Sequence, residues 1–170
     1  MIIVENRIKL LEHLPQNAIC AEIGVSIGNF AQKILDLTNP QILFLIDEWK
    51  NLQHFQVVQE RFKDQIKNKI VYPTKGKSEK ILQEFPDHYL DWVYIDADHR
   101  YEKVLKDLEI CSKKVKNDGF ISGHDYVLNS STVRFETGVA LAVYEFCDKY
   151  DWKMTHITKD ELPSFILQKQ

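Results

Sequence analysis

The sequence predicts an α/β protein: a mostly parallel sheet with helices on both faces. Short apolar runs alternate with amphipathic helical stretches through five rounds. Two further strand-like runs then close the chain, giving seven strands in all. Size agrees with that architecture. With 170 residues, 44% apolar and 28% charged, the chain reads as one domain over residues 1–170 that can bury a full core.

Ile8, Leu11 and Leu14 recur at helical spacing, which predicts a helix over residues 5–14 that ends at Pro15. Residues 18–23 are a buried strand leading into a glycine-bearing turn. Phe30, Ile34 and Leu37 mark the next helix. Residues 41–46 are almost continuously apolar, as expected of a central parallel strand. Phe55, Val58, Phe62 and Ile66 predict one long amphipathic helix. A strand over residues 69–72 should stop at Pro73, and a short helix follows around Ile81, Leu82 and Phe85. Residues 92–95 are a buried strand. Tyr101, Val104, Leu108, Cys111 and Val115 form an apolar helical stripe. Residues 120–122 are a strand, and Val139, Val143 and Phe146 lie on a further helix. Residues 152–157 and 164–167 read as a closing hairpin.

Composition excludes several classes of function. Net charge is −3, from 22 basic and 25 acidic residues, which does not suit a phosphate backbone. The lysines between residues 103 and 116 are interleaved with apolar residues and read as the wet face of a helix. No apolar run approaches bilayer length, and no export segment follows Met1. Cys20, Cys111 and Cys147 sit apart among apolar neighbours, as small buried hydrophobes in a reducing, cytoplasmic setting. We therefore expect neither nucleic acid nor membrane as a partner.

In parallel sheets of this kind ligands sit beyond the carboxyl ends of the strands. The first strand ends Glu22-Ile-Gly24-Val-Ser26-Ile-Gly28. This is not the dinucleotide spacing, and Glu22 would repel a pyrophosphate. It suits an ammonium or a sulfonium, or it is a solvated residue in a tight turn. Asp47, after the second strand, is placed to accept ribose hydroxyls, or to cap a helix. Ser78 either caps a short helix or faces the edge of a base. The fourth strand ends Asp96-Ala-Asp98-His99 and the fifth ends Gly123-His124-Asp125. Neighbouring strand ends would bring these acids together, which calls for a cation or a shared proton. Taken singly, Asp98 is also a helix cap and His124 a turn residue.

With these residues in view, the chain resembles a class I S-adenosylmethionine-dependent methyltransferase. The likeness is to a small group with IDxDH and GHDY motifs. It rests on Glu22, Gly24, Gly28, Asp47, Trp49, Asp91, Asp96, Asp98, His99, Tyr101, Asp107, Leu108, Gly119, Gly123, His124, Asp125 and Tyr126. The resemblance implies a Rossmann-like seven-stranded sheet whose last strand is antiparallel. It implies that Glu22, Gly24, Ser26, Gly28, Asp47, Glu48, Ser78 and Asp96 bind S-adenosylmethionine. Ser26 stands where many such enzymes have a glycine.

Related metal-dependent O-methyltransferases carry a divalent ion after the fourth and fifth strands. Here the corresponding ligands are Asp96, His124 and Asp125, with Asp98 or His99 as general base. A histidine ligand favours manganese, iron or zinc over magnesium. The expected reaction is methyl transfer to a hydroxyl of a small molecule. The alternatives are a metal-independent methyltransferase, a metal-dependent hydroxylase, and a non-catalytic cofactor-binding module. Residues 127–137 are expected to form a partial lid, and the open crevice leaves room for a homodimer.

Overall fold

The computed structural model describes residues 1–127 and 137–170. The expected lid falls almost wholly outside the described residues.

The elements run β1 (Ile2–Val4), α1 (Arg7–Leu10), β2 (Ile19–Ile23), α2 (Asn29–Thr38), β3 (Ile42–Asp47), α3 (Leu52–Arg61), α4 (Lys63–Lys67) and β4 (Val71–Lys75). They continue α5 (Ser78–Glu84), β5 (Leu90–Ile95), α6 (Tyr101–Lys114), β6 (Val115–Gly123), α7 (Val139–Tyr150), β7 (Trp152–Thr158) and β8 (Phe165–Lys169). A short 3-10 turn, Leu11–His13, follows α1.

One sheet holds all eight strands in the order β1-β7-β8-β6-β5-β2-β3-β4. The last strand in sequence, β8, runs antiparallel to both β6 and β7. The other pairings are parallel, as the alternating pattern predicts.

The strand count is eight, not seven. The extra strand is β1, three residues that pair in parallel with residues 156–158 of β7. A run of three residues carries no readable period, and its partner lies more than 150 residues away, so the local pattern was silent. Further boundaries differ. The strand expected over residues 120–122 runs from Val115 to Gly123, so Val115, expected on the apolar stripe of a helix, opens β6 and pairs with Leu90. The helix expected across Phe55 to Ile66 is broken at Phe62, whose φ of −107° leaves the helical range and whose side chain is fully buried. The strand expected to stop at Pro73 runs on to Lys75, because β4 is an edge strand and needs hydrogen bonds on one side only.

Two apolar layers sandwich the sheet. β5 shows how its alternation feeds both. Trp92 and Tyr94 enter the layer made with α1, α2 and α3; Val93 and Ile95 enter the layer made with α5, α6 and α7. Trp92, Tyr94, Phe62 and Phe146 are fully buried, each worth roughly 1.5–3 kcal/mol of apolar transfer. Cys20 and Cys111 are buried free thiols within these layers, and Cys147 is half-buried. No helix among the described residues is long and apolar enough to cross a membrane.

Candidate active site

A cleft of about 860 Å³ opens at the carboxyl ends of β2, β3, β4 and β5. Ladder hydrogen bonds continue past the strand ends and fix the loops around it. Gly24 N donates to Ile46 O at 2.9 Å, Asp96 N to Ile23 O at 2.8 Å, and His124 N to Ile95 O at 3.1 Å.

The loop after β2 is shaped by its glycines. Gly24 has φ of +90°, and a Cβ there would lie 2.1 Å from the Asp96 carbonyl oxygen. Gly28, the residue before α2, has φ of +79° and packs its Cα face on the Phe62 ring. Ser26, where a glycine was expected, takes the same left-handed region at φ +53°. Its strain is offset by two bonds: its amide donates to Asp47 Oδ2 at 2.9 Å, and its carbonyl accepts from Trp49 Nε1 at 2.7 Å.

Asp47 is the hub of this side. Oδ2 accepts from the amides of Val25 and Ser26, and Oδ1 accepts from Trp49 N at 2.7 Å. Three of a carboxylate's roughly four acceptor directions are thereby filled, which leaves limited capacity for ribose hydroxyls. Glu48 also lines the cleft and pairs with Lys50 at 3.0 Å.

Glu22 is 1% exposed, at the end of β2, and lines the cleft. Its Oε2 has no hydrogen-bond partner among the described residues. Burial, and then the nearby charge of Asp96, push its carboxyl well above the usual range. A buried acid of this kind calls for a cation from outside the protein. At the far side of the cleft Ser78 Oγ donates to Asp107 Oδ1 at 2.8 Å. Burial pushes Asp107 up to about 6.

The ends of β5 and β6 bring together the expected acids and histidines. One ligand atom each from Asp96, His124 and Asp125 lie within 4.8 Å of one another. Asp125 Oδ2 is 2.9 Å from His99 Nδ1, and Oδ1 is 2.9 Å from His124 Nδ1. Burial raises the Asp125 carboxyl, but His124 and His99 against it overrule burial and hold it well below normal. The bond that His99 donates to Asp125 raises His99 in turn. Asp96 is raised by burial despite His124 beside it.

Asp98 stands apart from this group. It is bound to Arg100 through the backbone amide and the guanidinium, and it does not cap α6, whose N-cap residue is Arg100 and which has no side-chain cap. The Arg100 hydrogen bonds hold it down to about 2, which makes it a weak base.

The pattern of residues did not point to Arg7. It reaches the cleft from α1, with Nη1 3.4 Å from Asp96 Oδ2 and its guanidinium 4.7 Å above the Phe30 ring. Its partners lie 23 and 89 positions away in sequence, so no local signal marks it. Asp107 appeared in the family motif, but only the fold puts it against Ser78.

Comparison with known proteins settles the family. A family of methyltransferase domains matches residues 21–126, more than half the chain. The chain belongs to that family. Solved structures agree on the fold. A protein described as an rRNA methylase from Clostridium thermocellum superposes with a TM-score of 0.71 at 13% identity, over 98% of this chain and 99% of that one. A SAM-dependent methyltransferase from Aquifex aeolicus gives 0.69 at 14% identity, over 94% and 87%. A precorrin methyltransferase from Geobacter metallireducens gives 0.67 at 13%, over 95% and 84%. No curated protein matches the chain. The protein is thus a methyltransferase by family, with the fold that the SAM-dependent enzyme from Aquifex aeolicus shares, so S-adenosylmethionine is the cofactor to test against its site.

The residues present fit that cofactor. Glu22 offers the cleft an unsatisfied buried carboxylate oxygen. The group Asp96, His124 and Asp125 also fits a divalent ion. It offers two carboxylates and an imidazole, a mixed oxygen and nitrogen set.

Proposed function

We propose that this methyltransferase acts on a hydroxyl of a small acceptor, assisted by a divalent ion at Asp96, His124 and Asp125. The observation that carries the reading is the double position of Asp96. Its backbone abuts Gly24 in the cofactor loop, and its carboxylate belongs to the His124–Asp125 group. Donor and ion would therefore share one wall.

When bound, the cofactor supplies a methyl group activated on sulfur, and the ion supplies Lewis acidity at the acceptor oxygen. The chain's own residues supply placement. Glu22 takes the ammonium, and Asp47 holds the loop and offers its remaining acceptor capacity to the ribose. Glu48 and Ser78 lie along the course of the base. His99, held by Asp125, takes the acceptor's proton. Its raised pKa makes it a stronger base than Asp98. A small acceptor is favoured over RNA by the net charge of −3 and by the acids that line the cleft.

Calorimetric titration of S-adenosylmethionine, with and without manganese, tests the reading. Micromolar binding that tightens with manganese supports it. Binding indifferent to manganese, together with full turnover in EDTA, removes the ion. No binding in either condition removes the cofactor assignment itself.

A further inference from the structure

We propose that Arg7 binds the carboxylate at the amino-acid end of the donor, so that the cleft reads a zwitterion and not a nucleoside alone. The proposal rests on the cleft being the S-adenosylmethionine site. It adds a specificity residue from outside residues 21–126, the part of the chain that the family shares.

Arg7 is held in place firmly, yet its donors are not used up. Its backbone amide donates to Asp160 Oδ2 at 2.8 Å. Asn6 caps the helix that carries it, accepting from Ile8 N and Lys9 N. The guanidinium plane is steadied by the Phe30 ring at 4.7 Å. Among the described residues its one carboxylate contact is a single nitrogen 3.4 Å from Asp96 Oδ2. An arginine can give a carboxylate two parallel N–H bonds. This one has a long contact, a side chain 34% exposed, and most of its five N–H donors left over.

The charges agree with that use. At this end of the cleft the protein sets two carboxyl groups, Glu22 and Asp96, which a bound cation would hold ionised, beside one positive group, Arg7. The amino-acid end of S-adenosylmethionine carries the opposite set: ammonium and sulfonium against one carboxylate. The ammonium then meets Glu22 and the carboxylate meets Arg7. A planar guanidinium also matches a carboxylate better than an ammonium does.

The test compares three ligands by calorimetry: S-adenosylhomocysteine, its decarboxylated analogue, and 5′-methylthioadenosine. They carry ammonium and carboxylate, ammonium alone, and neither group. Arg7→Met keeps the aliphatic stem over Phe30 and removes the charge. It should weaken S-adenosylhomocysteine roughly ten- to a hundredfold, the loss of one charged hydrogen-bonded pair. Binding of 5′-methylthioadenosine should stay unchanged, and the decarboxylated analogue should bind as well as before or better. Arg7→Lys should recover part of the loss.

Equal weakening of all three ligands would make Arg7 a support for the cleft and overturn the proposal. So would full affinity for S-adenosylhomocysteine in Arg7→Met. Failure of the unaltered protein to bind any of the three would instead remove the cofactor reading, and this inference with it.

Discussion

Asp47 and Asp125 are both carboxylates just past the end of a buried parallel strand, but they are held by different partners. Asp47 is held by three backbone amides. Asp125 lies against two imidazoles, His99 and His124, and its Oδ1, 2.9 Å from His124 Nδ1, makes no well-angled hydrogen bond among the described residues. Amides neither titrate nor leave, so the cofactor side is fixed by the chain's own course. Imidazoles gain and lose protons near neutral pH and can exchange a proton for a metal ion. One half of the crevice is therefore built to hold a constant shape, and the other to respond to what arrives. That division suits an enzyme that binds the same donor every turnover while it activates an acceptor.

Gly24→Ala strikes the cofactor side hardest. Its Cβ would fall 2.1 Å from the Asp96 carbonyl at a φ of +90°, on the rigid side. We expect a loss of about 3 kcal/mol, seen as a drop of roughly 10 °C in Tm, together with loss of cofactor binding. A normal melting curve would show that the rigid side yields after all.

Asp125→Asn attacks the responsive side. Manganese affinity should fall more than about a hundredfold, while S-adenosylmethionine affinity changes little. Parallel loss of both would mean that the two sides are one unit.

Asp107→Asn tests a titrating group on the cofactor side. Burial raises Asp107 to about 6, so the folded state holds this proton more tightly than the unfolded chain does. Its favourable contribution is complete below about pH 4 and is lost as the pH rises through 6. The amide, which can still accept from Ser78, should melt a few degrees higher than the parent at pH 8 and no higher at pH 4. The smallest effect belongs to Arg100→Ala. It removes an exposed pair, so Tm should not move, but the Asp98 carboxyl should rise from about 2 toward its ordinary value. An acid limb of the rate profile that rises with it would make Asp98 the base in place of His99.

The same contrast explains what the sequence could reveal. Glu22, Asp47, Asp96 and Asp125 were legible because each follows an apolar run that could only be a buried strand. Parallel pairing then brings such ends to one edge. Arg7 was not legible, because nothing near it in sequence says that α1 will lie over Phe30. The partner of Asp98 was a local matter, two residues away, but choosing it over the strand-end group needed the direction of a side chain. Boundaries failed where tertiary contacts overrode local preference, at Phe62 and at Pro73.

The pairing of β1 with β7 has a consequence for the order in which the protein is made. Arg7 leaves the ribosome 153 residues ahead of Asp160, which anchors it. The strand that carries it into place, β1, finds its partner only when residues 156–158 have emerged. A nascent chain ending after β6 could already have Glu22, Asp47, Asp96 and Asp125 at the ends of paired strands. Its cleft would be acidic and short of its cation at the Glu22 end. Emergence of the β7–β8 hairpin is thus also the step that balances the charge of the crevice, and the donor would be held fully only once Asp160 has followed.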